Sequence, residues 1–215
     1  WQASGKHRVS VGPCIIVDRR STVRIACRFG CGLRYEASQR PLHGYSDSDW
    51  AVKHSTSGWV FVLNQAAISW GSKKQKSVAL SSCEAEIVAG SEAAKDAVAL
   101  AGLSADLGMG SADPVELMMD NRSAIDVAYN PEHAGRLKHV DRRHFYIREL
   151  VEEHRIRVPF VATVDNLADF FPKPLKSKEF FRVRDIIMNV PQDARDRRSV
   201  SGHGGALRGV PRSPK

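Results

Sequence analysis

Residues 43–86 read HGYSDSDWAVKHSTSGWVFVLNQAAISWGSKKQKSVALSSCEAE, and the order of patterns in this stretch predicts the fold. Runs typical of strands occur at His43–Trp50, at Trp59–Leu63 and at Ala67–Trp70. All three are short, and they follow one another without an intervening helical pattern. Three consecutive strands with short connections indicate an antiparallel meander.

The connections between these strands are polar. Lys53–Ser57 and Gly58 predict a turn between the first two strands. The third strand is expected to end at Gly71, and a basic loop follows it, with Lys73, Lys74 and Lys76. Trp50 and Trp59 are expected to lie in the sheet core.

A long helix is predicted after the meander. Ser81 or Ser82 is a typical capping residue, and Glu84 and Glu86 lie in or near the first turn. An Ala-rich run continues to about Leu103. Its inward positions at helical spacing are Ile87, Ala94, Val98 and Ala101.

The remaining patterns alternate between strand and helix. In chain order they predict a strand at Val115–Met119 that ends in Asp120, helices at Asn121–Tyr129 and Asp141–His154, a strand at Ile156–Val161, and a last helix from Asp165 or Asn166 that is interrupted near Pro172 and Pro174. The resulting order β-β-β-α-β-α-α-β-α predicts an α/β fold, with helices that cover a five-stranded mixed sheet.

Charge is distributed unevenly along the 215 residues, whose net charge is +8. Residues 1–40 hold eight Lys and Arg against two acids, and residues 191–215 hold six against two. We therefore expect a divergent, partly disordered head over 1–40, a folded domain over 41–190 and a basic disordered tail over 191–215. The domain itself carries a net charge of −2, although the basic total favours a polyanionic partner such as nucleic acid.

Several classes of protein are excluded. There is no run of about 18 apolar residues, which rules out a spanning helix, and the start WQASGKHRVS lacks the apolar core of a signal peptide. Four cysteines are too few for a disulfide scaffold at this length. The missing initial Met predicts a piece of a longer chain.

Four acids fall at comparable places in the predicted elements: Asp47, Glu86, Asp120 and Asp169. The first strand of a meander can lie at the sheet centre with the fourth strand parallel to it, which would make the two strand aspartates neighbours. Clustered carboxylates repel one another unless a cation lies among them, and Mg²⁺ or Mn²⁺ prefers such oxygen ligands. The alternative from pattern alone is that these acids are surface charges and helix caps.

The chain resembles a known family over about Gly32–Leu175. The motifs that carry the resemblance are GYSDSDW (44–50), SGWVFVLNQAAISWGSKKQKSVALSSCEAE (57–86), DNRSAI (120–125), KHVDRRHFYIRE (138–149) and NLADFFPKPL (166–175). In this order and spacing they resemble the ribonuclease H domain of copia-type LTR retrotransposon Pol polyproteins. The resemblance implies an RNase H-like fold.

The resemblance also implies an activity, namely hydrolysis of the RNA strand of RNA–DNA hybrids with two Mg²⁺ or Mn²⁺ ions. By motif, the catalytic and metal-binding acids fall on Asp47, Glu86, Asp120 and Asp169. The nearest rivals are Glu84 and Asp49, and strand alternation makes Asp49 an accessory candidate.

The chain departs from related enzymes at several positions, among them Cys83 and Ile87, and two further departures bear on the site. No His occurs between Arg155 and Asp169, where cellular and retroviral relatives have one, so His139 becomes the accessory candidate for substrate contact or proton transfer. Pro172 stands where the family commonly has Thr, and a missing backbone donor there could disturb the helix that carries Asp169. A decayed relic that at most binds nucleic acid is the alternative. An integrase core fits the fold, but it does not fit the SWGSKKQ and EAE motifs.

The expected main partner is an RNA–DNA hybrid, bound through its phosphates and its shape. Its candidate contacts are Lys73, Lys74, Lys76, Asn121, Arg136, Lys138, Arg142 and Arg143, with Ser123 and Gln75 as further candidates for 2′-hydroxyls or backbone. A second candidate partner is the polymerase part of the same polyprotein, of which Gly30–Tyr35 resembles the last remnant. The resemblance implies no membrane partner and an intracellular protein, either cytoplasmic in virus-like particles or nuclear.

Overall fold

The computed structural model describes residues 15–18, 22–25, 32–51, 53–130, 142–192 and 195. In chain order its strands and helices are β1 (Ile15–Asp18), β2 (Thr22–Ile25), β3 (His43–Asp49), β4 (Thr56–Leu63), β5 (Ala66–Lys74), α1 (Ser82–Asp106), β6 (Val115–Met118), α2 (Arg122–Tyr129), α3 (Arg142–Glu152), β7 (Ile156–Arg157) and α4 (Ser177–Ile187). Two short 3₁₀ turns, Thr163–Asp165 and Leu167–Phe170, precede α4.

The main sheet has five strands in the order β5-β4-β3-β6-β7. The β3–β4 and β4–β5 pairs are antiparallel, while β6 and β7 add in parallel. The first strand of the meander is therefore central, with the fourth beside it. The predicted α/β class and five-stranded mixed sheet are confirmed.

A two-residue turn joins β4 to β5. Leu63 pairs with Ala66, and Asn64 and Gln65 between them have φ of 52° and 68°. A two-residue hairpin with positive φ at both positions matches the right-handed twist of its strands, and Asn tolerates this region well. The turn sets the register of both strands.

Two predictions about glycines are wrong, because Gly58 was expected in a turn and Gly71 at the end of a strand, but both lie inside strands. Gly58 lies in β4 and Gly71 in β5. A Cβ on Gly71 would lie 2.3 Å from the ring of Trp59, its cross-strand partner. The glycine is therefore required by a close approach, not by a turn. As a result Lys73 and Lys74 are strand residues, and only Lys76 lies in the following loop.

Apolar side chains pack on both faces of the sheet. One cluster lies beneath α1 and α3 and includes Phe61, Ile87 and Leu117. The other lies beneath the second 3₁₀ turn and α4 and includes Val60 and Phe170. The sheet is thus the middle layer of three. The tryptophan prediction is half right, because Trp59 packs against the first cluster but Trp50 is 49% exposed.

The C-terminal part of the domain differs from the prediction. Strand β7 is only two residues long, and a single bridge from Met119 to Phe160 extends it beyond Pro159, which has no backbone donor. The predicted last helix is instead the two 3₁₀ turns and a separate helix, α4. Pro172 and Pro174 stand between them, and each lacks the donor that a continuous helix needs.

The predicted head contains the antiparallel pair β1–β2. Its last part also contacts the domain: the Tyr35 hydroxyl donates to the carbonyl of Ala67 at 2.9 Å, and the Arg34 amide donates to that of Met188 at 3.1 Å. The rest of the head, and most of the predicted tail over 191–215, lie outside the described residues. Of the helices that are described, none is long and apolar enough to cross a membrane.

Candidate metal centre

Asp47 and Asp120 extend from neighbouring parallel strands. Tyr45 of β3 pairs with Met118 of β6, and each aspartate stands two residues further along its chain. Alternation places both aspartates on the sheet face that carries Tyr45 and Met118. Asp47, Asp120 and Glu86 each contribute one carboxylate oxygen, and these three oxygens lie within 4.8 Å of one another. Three of the four predicted acids therefore form one cluster.

Glu86 reaches the cluster from the first turns of α1. Ser81 caps this helix and accepts a hydrogen bond from the Glu84 amide at 3.1 Å, as predicted for one of the two serines. Ser48 of β3 then holds the Glu86 carboxylate, because its backbone amide donates to Oε1 at 3.1 Å and its hydroxyl donates to the same atom at 2.9 Å. Oε2 is buried and has no hydrogen-bond partner among the described residues.

Glu84 and Asp49, the two rival acids, lie outside this group. Glu84 Oε2 accepts the backbone amide of Leu80, the residue before the helix cap, at 2.7 Å, so its carboxylate is engaged at the start of α1. Asp49 is exposed at the end of β3. Burial is the largest single influence on the pKa of Lys173 and lowers it. The negative charges of Asp169, Asp47 and, least of the three, Asp49 outweigh burial, so the pKa is raised.

Asp169 approaches from the opposite layer on the second 3₁₀ turn. This turn is fixed to β3 by Asn166, which is 1% exposed. The Asn166 side-chain amide donates to the Ser46 carbonyl at 3.0 Å, while its Oδ1 accepts the Ala168 amide at 3.1 Å. The turn ends at Phe170, before Pro172, so the proline interrupts no hydrogen bond within it.

Gly58 lets this turn lie close to the sheet. It is the cross-strand partner of Asp47, and a Cβ at this position would lie 2.5 Å from Pro172 Cδ and 2.8 Å from Phe171 Cβ. Ser72 on β5 adds a hydrogen bond from its hydroxyl to the Phe171 carbonyl at 2.9 Å. The segment that carries Asp169 is thus anchored to three adjacent strands.

Lys173 follows directly and places an ammonium group between two of the acids. Its Nζ forms an ion pair with Asp169 Oδ1 and lies 3.9 Å from Asp47 Oδ2. The side chain is 36% exposed, whereas that of Asp47 is only 4% exposed. It is the only Lys or Arg side chain within 4.0 Å of Asp47 in the part of the chain that the structure describes.

Burial and mutual repulsion dominate the electrostatics of the cluster. Burial, followed by the charges of Glu86 and Asp169, raises the pKa of Asp47 to about 9. Burial also raises the pKa of Glu86 to about 7, although the Ser48 hydrogen bonds oppose it. At neutral pH Asp47 is therefore mostly protonated and Glu86 about half ionised, and added positive charge favours the ionised form of both.

The residues present fit a divalent cation. Among the described residues, Asp47 Oδ2 and Glu86 Oε2 are buried oxygens with no hydrogen-bond partner. Buried carboxylate oxygens without donors are costly, and hard oxygen ligands are those that Mg²⁺ and Mn²⁺ bind. The three clustered acids could hold such an ion, with Asp169 beside them.

The predicted substrate contacts are more scattered. Lys73 forms an ion pair with Glu92 of α1 at 2.8 Å, whereas Lys74 and Lys76 are exposed. Asn121 caps α2, where its Oδ1 accepts the Ala124 amide at 3.1 Å, and Ser123 is exposed on that helix. Arg142 and Arg143 begin α3, while Arg136, Lys138 and His139 lie outside the described residues.

The suggestion that Gln75 contacts substrate is wrong. Its side chain is buried, and its amide nitrogen donates to the Ser57 hydroxyl at 3.0 Å and to the Ala85 carbonyl at 2.9 Å. Gln75 therefore joins β4 to α1. A Gln between lysines looks like an exposed polar residue in a sequence, and nothing local reveals this contact.

Sequence reasoning missed three residues that shape the site: Ser48, Asn166 and Lys173. Ser48 lies within the SDSD motif, but alternation points it away from Asp47. Asn166 was noted only as the start of a helix. Lys173 stands in the FPKPL motif, four residues after Asp169, and that spacing was the available signal.

A mixed sheet of this strand order, with acids at the ends of its two central parallel strands, defines a ribonuclease H-like domain. The sequence is 35% identical over 159 residues to a retrovirus-related Pol polyprotein from transposon TNT 1-94 of Nicotiana tabacum, covering 72% of this chain and 12% of that protein. It is 37% identical over 143 residues to the Pol polyprotein of transposon RE2 of Arabidopsis thaliana, covering 65% and 10%. The homologues of this chain are therefore copia-type retrotransposon Pol polyproteins, and its fold is ribonuclease H-like.

Other comparisons add little to this assignment. No protein-family model matches the sequence. An N-terminal RNase H domain from Mycobacterium tuberculosis is similar in structure, with a TM-score of 0.44 and 15% identity over 66% of this chain and 93% of that one. The chain spans about a tenth of the length of the curated Pol polyproteins that it matches.

Proposed function

We propose that this chain is a metal-dependent endonuclease that hydrolyses the RNA strand of RNA–DNA hybrids during reverse transcription of a retrotransposon. The observation that carries the proposal is the cluster of Asp47, Glu86 and Asp120, whose ligand atoms lie within 4.8 Å of one another. Two of these side chains are buried and have an oxygen without a donor among the described residues.

The four acids would hold two Mg²⁺ or Mn²⁺ ions. Asp47, Glu86 and Asp120 form the compact part of the site, and Asp169 lies on its other side next to Asp47. Ions held there would activate a water molecule and stabilise the departing 3′-oxygen. The protein orients its own ligands for this purpose: Ser48 fixes Glu86, and Asn166 fixes the turn that carries Asp169.

Basic side chains outside the acidic cluster would bind the hybrid. Lys74 and Lys76 are exposed at the end of β5 and beyond it, and phosphate contacts supply most of the affinity for a duplex. Lys73 is partly engaged by Glu92 and would contribute less. The basic residues 136–143 remain candidates for a second phosphate contact, and His139 remains a candidate for proton transfer.

The context of the enzyme is also a proposal. The similarity to Pol polyproteins supports a polymerase part of the same polyprotein as partner, and an intracellular location in cytoplasmic particles or the nucleus. The alternative is a decayed relic. One of the arguments for it is weakened, because Pro172 leaves the turn of Asp169 intact and packs against Gly58, while the divergent head and the basic tail still favour it.

The test is cleavage of a labelled RNA–DNA hybrid by the chain and its Asp47→Asn variant, with Mg²⁺ or Mn²⁺ present or removed. The proposal requires metal-dependent cleavage that the variant lacks. Equal, metal-independent background from both proteins would instead support the relic.

A further inference from the structure

Lys173 holds a positive charge at one side of the candidate metal centre. Its ammonium pairs with Asp169 Oδ1 and is 3.9 Å from Asp47 Oδ2. Glu86 and Asp120 form no ion pair among the described residues, and Asp47 lies between them and Lys173. The four acids of the site therefore differ: Asp169 and Asp47 lie within ion-pair distance of Lys173, whereas Glu86 and Asp120 do not.

The backbone around Lys173 is well anchored. Pro172 precedes it and packs against Gly58, and Pro174 follows it, so the lysine stands between two residues with fixed φ. The Phe171 carbonyl is bonded to Ser72. Because the chain is anchored directly before Lys173, the simplest way for its ammonium to leave the site is rotation of its own side chain, which is 36% exposed.

We propose that Lys173 is a resident cation that competes with a divalent ion for Asp47 and Asp169. This proposal rests on the proposed function, because it assumes that the same acids bind metal. An ion bound by Glu86, Asp120 and Asp47 meets the ammonium only at Asp47, at the longer distance of 3.9 Å. An ion that uses Asp169 must first displace the ammonium, so the second ion binds more weakly than the first.

Removal of the ammonium leaves Asp47 and Asp169 facing one another without a counter-charge. Repulsion between them then favours a divalent cation at that side more strongly than in the wild-type protein. One lost competing ion pair near a partly buried site corresponds to about a tenfold change in affinity. Arg at this position would keep the positive charge and the competition.

The test is titration of the full chain with Mn²⁺ at pH 8, followed by calorimetry and by the electron paramagnetic resonance signal of free Mn²⁺. The wild-type protein is expected to bind one ion tightly and a second about tenfold more weakly or worse. Lys173→Met is expected to tighten the second site about tenfold. Lys173→Arg, and Lys176→Met at an exposed lysine without an ion pair among the described residues, are expected to match the wild type.

The outcomes separate this proposal from the proposed function. If Asp47→Asn abolishes the tight site but Lys173→Met binds the second ion as weakly as the wild type, the role of Lys173 is overturned and the metal centre stands. If no variant binds Mn²⁺ in a way that depends on Asp47, both proposals fail. Thermal unfolding of each variant without metal verifies that it is folded, and Lys173→Arg serves as the conservative variant.

Discussion

Asn166 donates its side-chain amide to the backbone carbonyl of Ser46 at 3.0 Å, across 120 residues of sequence. Ser46 directly precedes Asp47, and Asn166 precedes Asp169 by three residues. This one hydrogen bond therefore ties the strand that carries the first acid to the turn that carries the last. Both groups are buried, so neither can exchange the bond for water.

Asn166→Ala is expected to lower the free energy of unfolding by about 1–3 kcal/mol, because it leaves the Ser46 carbonyl without its buried donor and removes the cap of the Ala168 amide. Activity on the hybrid is expected to fall further than stability explains, since Asp169 loses its anchor. Urea unfolding and cleavage rates measure both effects. Tyr129→Phe is the matched control: it removes the hydroxyl that accepts the Val158 amide at 2.8 Å, outside the residues assigned to the site, at a cost of about 1 kcal/mol. An equal loss of activity in both variants would contradict the anchoring role.

Gly58→Ala is expected to destabilise the protein by about 1–3 kcal/mol, because the new Cβ would lie 2.5 Å from Pro172 Cδ. The displaced segment carries Asp169 and Lys173, so hybrid cleavage is also expected to fall. Gly102→Ala in α1 provides the control, since nothing lies within 4 Å of its Cβ position and Ala favours a helix by about 0.5–1 kcal/mol. Urea unfolding that shows Gly58→Ala to be as stable as the wild type would contradict the close packing.

Stability without metal is expected to fall as the pH rises from 5 to 9. The folded-state pKa values of Asp47 and Glu86 are raised to about 9 and about 7, so the folded protein binds more protons than the unfolded chain in this range. The free energy of unfolding is expected to drop by about 1 kcal/mol per pH unit. Urea unfolding in EDTA measures this slope, and saturating Mg²⁺ should flatten it. Asp47→Asn should also reduce it, and an unchanged slope in that variant would contradict the assignment.

Ser48→Ala is expected to weaken metal binding at pH 7 about fivefold, because Glu86 loses one of the two hydrogen bonds that favour its ionised form. The effect should diminish toward pH 9, where Glu86 is ionised in both proteins. Calorimetric titration with Mn²⁺ at the two pH values tests this. Ser111→Ala, at an exposed serine, is the control, and a loss of equal size at both pH values would contradict the role of the hydrogen bond.

The parts of the fold that sequence could predict are those with local signals. Runs of strand-forming residues located the central parts of β3 to β5, although the turn residues misplaced two strand ends, and Ser81 located the start of α1. The proximity of Asp47 and Asp120 could be predicted because the fourth strand can pair in parallel with the first strand of a meander. The motif resemblance then selected Glu86 over Glu84, a choice that periodicity leaves open.

The parts that escaped prediction depend on contacts between distant segments. Gly58 reads as a turn residue until Pro172 is seen to pack against it, and Lys173 reads as a surface lysine until its ammonium meets Asp169. Gln75 is similar, because its partners lie on another strand and on α1. Side-chain contacts across a sheet leave no periodic trace in the sequence.

The most direct measurement is cleavage of an end-labelled RNA–DNA hybrid in Mg²⁺ by the wild-type chain, by Asp47→Asn, and by Asp113→Asn at an exposed acid away from the cluster. The wild type and Asp113→Asn are expected to cut only the RNA strand, and EDTA is expected to stop both. Asp47→Asn is expected to be at least about 100-fold slower while it remains folded. Cleavage by Asp47→Asn at the wild-type rate, or no metal-dependent cleavage by the wild type, would contradict the account.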